Sequence, residues 1–315
     1  MGVVLDVRLP VVREYRVAGS LERRATLAEV LDGEAAHPLQ AFILFPWSWD
    51  WVVWRRRVVA DGEPASGAVR RLVRHASNRL GTDVGLHAVL RATLALPDAD
   101  RRVRALYRTL LPRLIRPEPP VADRAARVLT LHHEYWRHLE MELFVPASRL
   151  ALALDVARHV VTTLGGEADV GPHVEPARAA LADAGLHDEL AQLRGSYVAH
   201  YPLFCRRVLP DDTLISMAAG GGEPWYTISL FHYARDDRRY LAAASLLARA
   251  LRHACGARPH WGKIFPLDAD DVAALYPALP AFRAECERAD PRGVFRNAHV
   301  ERLLGFGARR AAATA

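Results

Sequence analysis

The order of strand and helix signals along the chain predicts an α+β fold, in which helices pack on an antiparallel β-sheet. Segments in which apolar and polar residues alternate, rich in valine and aromatic side chains, indicate the strands. Longer segments with apolar residues three and four positions apart indicate the helices. Because the strand segments come in pairs separated by blocks of helix, the pattern favours an antiparallel sheet.

Five segments carry the strand pattern. The first, GVVLDVRLPVV, begins directly after Met1, and the second, AFILFPWSWDWVVWRRRVV, contains two short strands around a turn at residues 46–50. HLEMELFVP alternates over its first part and ends on a proline, which is typical of the end of a strand. The predicted strand segments are residues 2–12, 41–59, 138–146, 197–209 and 225–233.

Helical periodicity fills most of the chain between these strands. Gly256 is expected to end one helix as its C-terminal cap. The proline-rich segment RPEPPVADRA, residues 116–125, is predicted to be a connector, and the block from about residue 64 to 125 is predicted to be a helical insertion. The predicted helical segments are residues 64–116, 147–164, 176–194, 237–255, 268–276 and 280–291.

Composition excludes several classes of protein. The mean hydropathy is -0.02, and no run approaches the ~18–20 apolar residues of a membrane span. The net charge is +6, but the arginines alternate with acidic residues and form no basic stripe, so we predict no nucleic-acid partner. Three widely spaced cysteines form neither a disulfide framework nor a zinc pattern, and no signal peptide pattern is found. These features predict a cytoplasmic location.

Two motifs suggest a metal site and a phosphate site at first sight. In LHHEYWRHLEME the order His133, Glu134, His138 resembles a zinc-protease motif, but the second histidine comes one residue late. Because an i,i+5 pair on a helix diverges by about 140°, it cannot chelate one metal in that way, and a solvated surface is favoured. The glycines of AAGGGEPW precede a strand and not a helix, which favours a turn over a phosphate cradle. We therefore predict no metal.

Four tryptophans lie within eight positions, at 47, 49, 51 and 54. On an extended chain, positions 47, 49 and 51 share one face. That face could form a ligand wall, with Trp49 as a substrate contact, or a strip of aromatic residues directed into the core.

Lys263 is the one lysine among 42 basic Lys and Arg residues. A sequence that uses arginine everywhere else indicates that a compact ammonium is required at this position, unless the residue survived by chance.

Three motifs resemble a known family, the aldonolactone oxidase and alditol oxidase group of FAD-linked oxidases in the vanillyl-alcohol oxidase superfamily. Residues 260–263, His-Trp-Gly-Lys, are similar to a block in the C-terminal region of that group. MELFVP and GVVLDVRLPVV are similar to two of its strands. The remaining matches to its C-terminal pattern are Asp290, Pro291, Gly293, Phe295, Asn297, Leu304 and Gly305.

The resemblance implies a domain organisation and a cofactor. Residues 1–12 would be a remnant of the last strand of an FAD-binding domain, and residues 13–315 would form the substrate, or cap, domain. The cofactor would be FAD, although the half of the family that binds its diphosphate is absent from this sequence. A flavin-binding segment, on a separate FAD-binding chain for example, would then be a partner beside the small-molecule substrate.

The resemblance also implies roles for individual residues. Lys263 would lie near the N1–C2=O edge of the flavin with His260 beside it, and both would be catalytic together with Arg206. Lys263, Trp261 and Asn297 would contact the cofactor. Phe204 stands where alditol oxidases have an acid, which favours a more apolar alcohol or a lactone. The implied substrate contacts are Arg206, Phe204, Glu142, His232 and Trp49.

Two functions follow from the sequence. The first is the substrate-domain portion of an FAD-dependent oxidoreductase that oxidises an alcohol or lactone by hydride transfer to flavin N5. The second is a flavin-free small-molecule-binding protein, or a non-redox enzyme, built on a repurposed cap domain.

Overall fold

A computed structural model describes residues 15–130, 138–220, 222–233 and 238–306 of the chain. Eight strands form one antiparallel sheet in the order β4-β1-β3-β2-β6-β7-β5-β8, which confirms the predicted α+β class. The strands are β1 Arg16–Arg24, β2 Ala41–Leu44, β3 Trp51–Val58, β4 Glu118–Arg124, β5 Leu139–Pro146, β6 Leu203–Val208, β7 Trp225–His232 and β8 Arg258–Pro259. The strand predicted over residues 2–12 lies outside the described residues.

Helices pack around the sheet. Two π-helical stretches continue directly from one helix to the next, at Asn78–Gly85 and Leu106–Leu110. A 3-10 turn precedes the helix that starts at residue 150, at Ala147–Arg149. The helices are α1 Leu27–Asp32, α2 Ala68–Ser77, α3 Leu86–Leu94, α4 Ala99–Ala105, α5 Leu111–Leu114, α6 Ala125–Leu129, α7 Leu150–Leu164, α8 Val174–Asp183, α9 His187–Gln192, α10 Arg238–Cys255, α11 Ala269–Leu275, α12 Leu279–Ala289 and α13 Ala298–Leu304. Among the described residues, no helix is both long and apolar enough to cross a membrane.

The two faces of the sheet carry different residues. On the face that we call the helix face, Met141 and Leu143 of β5 and Leu230 of β7 join the main hydrophobic core with α7 and α10. Tyr240 of α10 donates a hydrogen bond to the Leu230 carbonyl at 2.8 Å, which ties the helix to the sheet. Side chains alternate along a strand, so their neighbours point to the opposite side, which we call the far face.

The insertion predicted around residues 64–125 is helical over most of its length, but its end is a strand. Residues 116–125 were predicted to be a connector because of their prolines, and that prediction is wrong, since they contain β4. A strand at the rim of a sheet tolerates proline because fewer of its N–H groups are needed for pairing. A register shift between Gly19 and Leu21 of β1 accommodates the irregular pairing.

Two other local predictions need correction. The turn predicted at residues 46–50 is present, but Trp47 and Trp49 have φ angles of 72° and 58°, so positions 47, 49 and 51 do not share the face of an extended strand. Trp47 and Trp51 are nevertheless buried in the core, as the aromatic-strip interpretation predicts. The single helix predicted over 176–194 is two helices, separated at Gly185, whose φ of 67° breaks the first one.

One buried polar cluster joins α7 to α8. Asp169 accepts hydrogen bonds from His159 Nδ1 at 2.8 Å and from His173 Nε2 at 2.9 Å. Burial raises the pKa of the Asp169 carboxyl, but the two histidine hydrogen bonds outweigh it, so the pKa lies below its usual value. The ionised form of Asp169 therefore stabilises the packing of these helices.

We expect Asp169→Asn to lower the free energy of unfolding at neutral pH by about 1–3 kcal/mol, because it disrupts two buried hydrogen bonds to a charged group. A folded-state pKa below the unfolded value contributes stability that is lost as pH falls through the folded pKa. The difference between the two proteins in urea unfolding should therefore shrink on acidification below about pH 4. Asp183→Asn, at an exposed position of α8, is the control and should unfold like the unsubstituted chain.

Candidate active site

A line of three side chains crosses the far face. Glu142 of β5 pairs with Ser229 of β7, and Ser229 pairs with Phe204 of β6, so all three point to the same side. Ser229 Oγ donates a hydrogen bond to Glu142 Oε1 at 3.2 Å. Glu142 and Ser229 are both buried. The line presents one carboxylate, oriented by a hydroxyl, next to an aromatic ring.

Lys263 is held beside this line by backbone hydrogen bonds. The His260 N–H donates to the Glu142 carbonyl at 2.9 Å, and the Ile264 N–H donates to the Glu140 carbonyl at 3.1 Å. These bonds lay the segment after β8 along β5. Lys263 Nζ consequently forms an ion pair with Glu140 Oε2.

Glu140 is the centre of a small ionic cluster. His138 Nε2 lies 3.7 Å from the carboxylate oxygen that binds Lys263. Burial raises the pKa of Glu140, but hydrogen bonds and charge from His138 and Lys263 outweigh it and lower the pKa below its usual value. The side chain of Lys263 keeps 32% of its surface exposed, and the ion pair with Glu140 orients its ammonium.

The sequence assigned His138 and Glu140 to a solvated surface, and for Glu140 that is wrong. Its side chain is only 10% exposed, because Lys263 and the neighbouring strand cover it. The alternation of polar and apolar residues over 138–143 was the available signal, since it predicts that residues 138, 140 and 142 share one face of the strand. His133 and Glu134 of the same motif lie outside the described residues.

Aromatic side chains extend the far face beyond Glu142. The rings of Trp54 and Phe204 stack at 5.4 Å, and Phe231 meets Phe204 edge-on at 6.4 Å. Phe231 also packs edge-on against His138 at 5.1 Å. The aromatic wall of this site thus contains Trp54 in place of the predicted Trp49. Trp54 belongs to the tryptophan cluster found in the sequence, but it was not predicted to contact the substrate.

Arg206 continues the same face. It follows Phe204 by two residues on β6, and its Cζ lies 5.1 Å from the centre of the Phe204 ring. Its side chain is exposed. The structure therefore brings together Lys263, Glu142, Phe204 and Arg206 from the predicted set, with His260 at the start of the segment that carries the lysine.

Four predicted site residues are not brought to this cluster. Trp261 stacks on Phe265 at 4.9 Å and donates to the Ile215 carbonyl at 2.8 Å. Asn297 caps α13, where its side chain accepts a hydrogen bond from the Val300 N–H at 3.0 Å.

The other two are His232 and Trp49. His232 is buried on the helix face and stacks on Tyr240 at 5.1 Å, so it points away from Glu142. Trp49 lies in the turn before β3, with the guanidinium of Arg158 5.1 Å from its ring centre. Direct contacts of these four residues with a cofactor or substrate remain predictions.

The arrangement combines a fixed cation, a buried carboxylate and an apolar wall. Such a set can stabilise negative charge that develops on a bound ring, orient a hydroxyl group and accept an apolar chain. Among the residues the structure describes, no group of three or more His, Cys, Asp or Glu side chains could hold a metal ion.

The chain is similar to several known oxidases. The family model of D-arabinono-1,4-lactone oxidase matches residues 7–303. A long-chain alcohol oxidase of an uncultured marine euryarchaeote is 38% identical over 96% of this chain and 63% of its own length. The alditol oxidase of Streptomyces sp. (strain IKD472 / FERM P-14339) is 36% identical over 31% of this chain and 23% of its own length.

A solved structure shares the fold. Cholesterol oxidase from B.sterolicum superposes with a TM-score of 0.58 at 11% identity, covering 92% of this chain and 60% of that protein. The chain thus spans less than two thirds of the length of the relatives that match along most of it.

The Lys263–Glu140 pair should couple measurably. In a double-mutant cycle with Lys263→Met and Glu140→Gln, we expect a coupling energy of about 1–2 kcal/mol in urea unfolding, since the carboxylate is largely buried. Because the pKa of Glu140 is lowered, the coupling should persist at neutral pH and disappear as pH falls through that value.

The exposed pair Arg288–Glu285 is the matched control. Its cycle, Arg288→Met with Glu285→Gln, should give at most about 0.5 kcal/mol. Equal coupling in the two cycles would contradict the role assigned to burial of Glu140.

Proposed function

Because the chain belongs to the D-arabinono-1,4-lactone oxidase family, we propose that it is the substrate-domain portion of an FAD-dependent oxidoreductase that oxidises an alcohol with an apolar chain. The observation that carries the proposal is the placement of Lys263 over Glu140, beside the buried Glu142 and the aromatic residues of the far face. The name of the long-chain alcohol oxidase, 38% identical, supports the same substrate class.

The residues present fit the ring of a flavin. An isoalloxazine ring needs an apolar surface for its face and a cation at the edge where negative charge develops. Phe231 offers an aromatic surface beside the ionic cluster, and Lys263 would hold the ring edge with the N–H donors that Glu140 leaves free. Bound FAD would supply the acceptor for the hydride that leaves the carbinol carbon.

Glu142 would act on the hydroxyl group of the substrate. Ser229 Oγ binds one carboxylate oxygen, Oε1, so the other oxygen is left to accept a hydrogen bond from the substrate hydroxyl. As the carbinol carbon loses its hydride, the hydroxyl proton would pass to this oxygen, and the product would be a carbonyl compound. A buried carboxylate suits this role because water does not compete for it.

The aromatic wall would select the substrate. Phe204 offers no hydrogen bond to a polyol, and its stacking on Trp54 lines the far face with apolar surface. Burying an apolar chain there would contribute roughly 25 cal/mol for each Å² removed from water. An alcohol with a long apolar chain therefore gains more from this face than a sugar alcohol does.

The diphosphate of FAD would be bound elsewhere. The sequence contains no GxGxxG or GxxxxGK[ST] motif, and the far face presents side chains rather than a loop of backbone N–H groups. We assign that part to a flavin-binding segment outside the described residues or on a separate chain, which would cover the far face and complete the site.

Removing the charge of Lys263 tests the flavin role. The chain would be co-expressed with the part of the long-chain alcohol oxidase that lies outside the matched region, and the yellow complex isolated. In Lys263→Met we expect kcat/KM for lauryl alcohol to fall about 10²–10³-fold, as for loss of one oxyanion-stabilising donor. The reduction potential of the bound flavin should also fall, because the reduced ring loses its cation.

Arg288→Met, which removes an exposed cation of α12, is the control and should leave both quantities unchanged. An unaltered potential in Lys263→Met would remove the lysine from the flavin site. Tight binding of lauryl alcohol to the chain without FAD, with no complex formed, would support the flavin-free binding protein instead.

A further inference from the structure

We propose that Arg56 and Arg206, two arginines of the far face, bind an oxyanion at the distal end of the substrate. The group would be a carboxylate, phosphate or sulfate on the alcohol, most simply the carboxylate of a long ω-hydroxy acid. This inference extends the proposed function, because it specifies the end of the substrate that lies away from Glu142.

Strand alternation separates the arginines of this sheet into two classes. Residues 55–57 of β3 are three consecutive arginines. Arg55 points to the helix face, where it donates to Gln40 Oε1 at 2.5 Å and to the Val30 carbonyl at 2.6 Å. Arg57 binds the Glu63 carboxylate at 2.9 and 2.7 Å.

The arginines of β6 follow the same rule. Arg207 lies 3.6 Å from Glu34 on the helix side. Arg56 and Arg206 point to the far face, and neither makes an ion pair or a side-chain hydrogen bond with any of the residues that the structure describes. On β3 and β6, the arginines of the helix face therefore have polar or acidic partners, whereas these two on the far face make no ion pair with a described residue.

The two guanidinium groups flank one aromatic stack. Trp54 and Phe204 lie 5.4 Å apart at an interplanar angle of 26°. The Cζ of Arg56 is 5.7 Å from the Trp54 ring centre, and that of Arg206 is 5.1 Å from the Phe204 ring centre. Stacking of this kind orients a guanidinium without using its N–H donors, which stay free for a planar or tetrahedral oxyanion.

The surroundings of Arg56 favour an anion. Burial lowers the pKa of Arg56 to about 10, and the charges of Arg206 and Arg74 contribute to the shift. Arg74 is itself paired with Glu118 at 2.7 Å, and no carboxylate in the described part of the chain pairs with Arg56. A partly buried cation among cations is unfavourable, and a bound oxyanion would relieve both the repulsion and the lost hydration.

The position of the pair indicates the length of the substrate. Arg206 on β6 is two strand spacings across the sheet from Glu142 on β5 and two residues further along, roughly 12 Å away. Arg56 on β3 is four spacings across and four residues along, roughly 23 Å from Glu142. The Trp54–Phe204 stack lies between the two ends, so an apolar chain would cover it while the hydroxyl and the oxyanion reach opposite ends of the far face.

Binding to the purified 315-residue chain tests the inference. The probes are ω-hydroxylauric acid and its methyl ester, which differ in the negative charge and one methyl group, and sodium sulfate as a free oxyanion. By calorimetry we expect the acid to bind at least tenfold more tightly than the ester, with competition by sulfate. Arg56→Gln and Arg206→Gln should each abolish this preference, while Arg56→Lys should keep part of it.

Arg57→Gln removes the same charge from the same strand on the other side, and it should leave the preference unchanged. Circular dichroism and urea unfolding establish that each variant is folded. Equal binding of acid and ester, no binding of either, or an equal loss in Arg57→Gln would overturn the oxyanion site. Binding of sulfate without the acid would do so too, because the anion would then not belong to the substrate.

These readouts separate the two proposals. A charge preference that depends on Arg56, together with a flavin potential that Lys263→Met leaves unchanged, would keep the oxyanion site and reject the flavin role of Lys263. If Lys263→Met instead lowers the flavin potential and the acid and the ester bind equally well, the oxidase proposal stands and the anionic substrate is rejected.

Discussion

The hydrogen bonds between the segment after β8 and strand β5 determine the geometry of the candidate site. With donor–acceptor distances of 2.9 and 3.1 Å, they place His260 beside Glu142 and Ile264 beside Glu140. Lys263 lies between these two contacts, so its ammonium has one carboxylate within reach. The pairing of β5 with β7 and of β7 with β6 then sets the positions of Ser229, Phe204 and Arg206 relative to Glu142.

Much of the fold could be predicted from periodicity, because alternation and helical spacing are local properties. The β5, β7, α7 and α10 segments were predicted within a few residues of their bounds. Local rules failed where tertiary contacts decide the structure. Strand β4 contains two prolines and still pairs with β1, and Trp47 and Trp49 adopt positive φ within the predicted turn, so they do not share a face with Trp51.

The candidate site was predicted less completely than the fold. Motif resemblance could select Lys263, Glu142, Phe204 and Arg206, because each lies in a recognisable stretch of sequence. The ion pair of Lys263 with Glu140 joins residues 123 positions apart, and the stack of Trp54 on Phe204 spans three strands. Such contacts depend on how the strands are paired in the sheet. The pattern within any one segment does not specify that pairing.

The proline-bearing strand β4 and the two-residue strand β8 form the two rims of the sheet. Pro119 and Pro120 remove two N–H donors from one rim, and the other is too short to template a further strand. Within the described residues, the sheet is therefore poorly suited to grow by strand addition. A companion domain that covered the far face would then bind through side chains and not by strand pairing. The affinity of such a contact depends on shape and charge, so single substitutions could alter it.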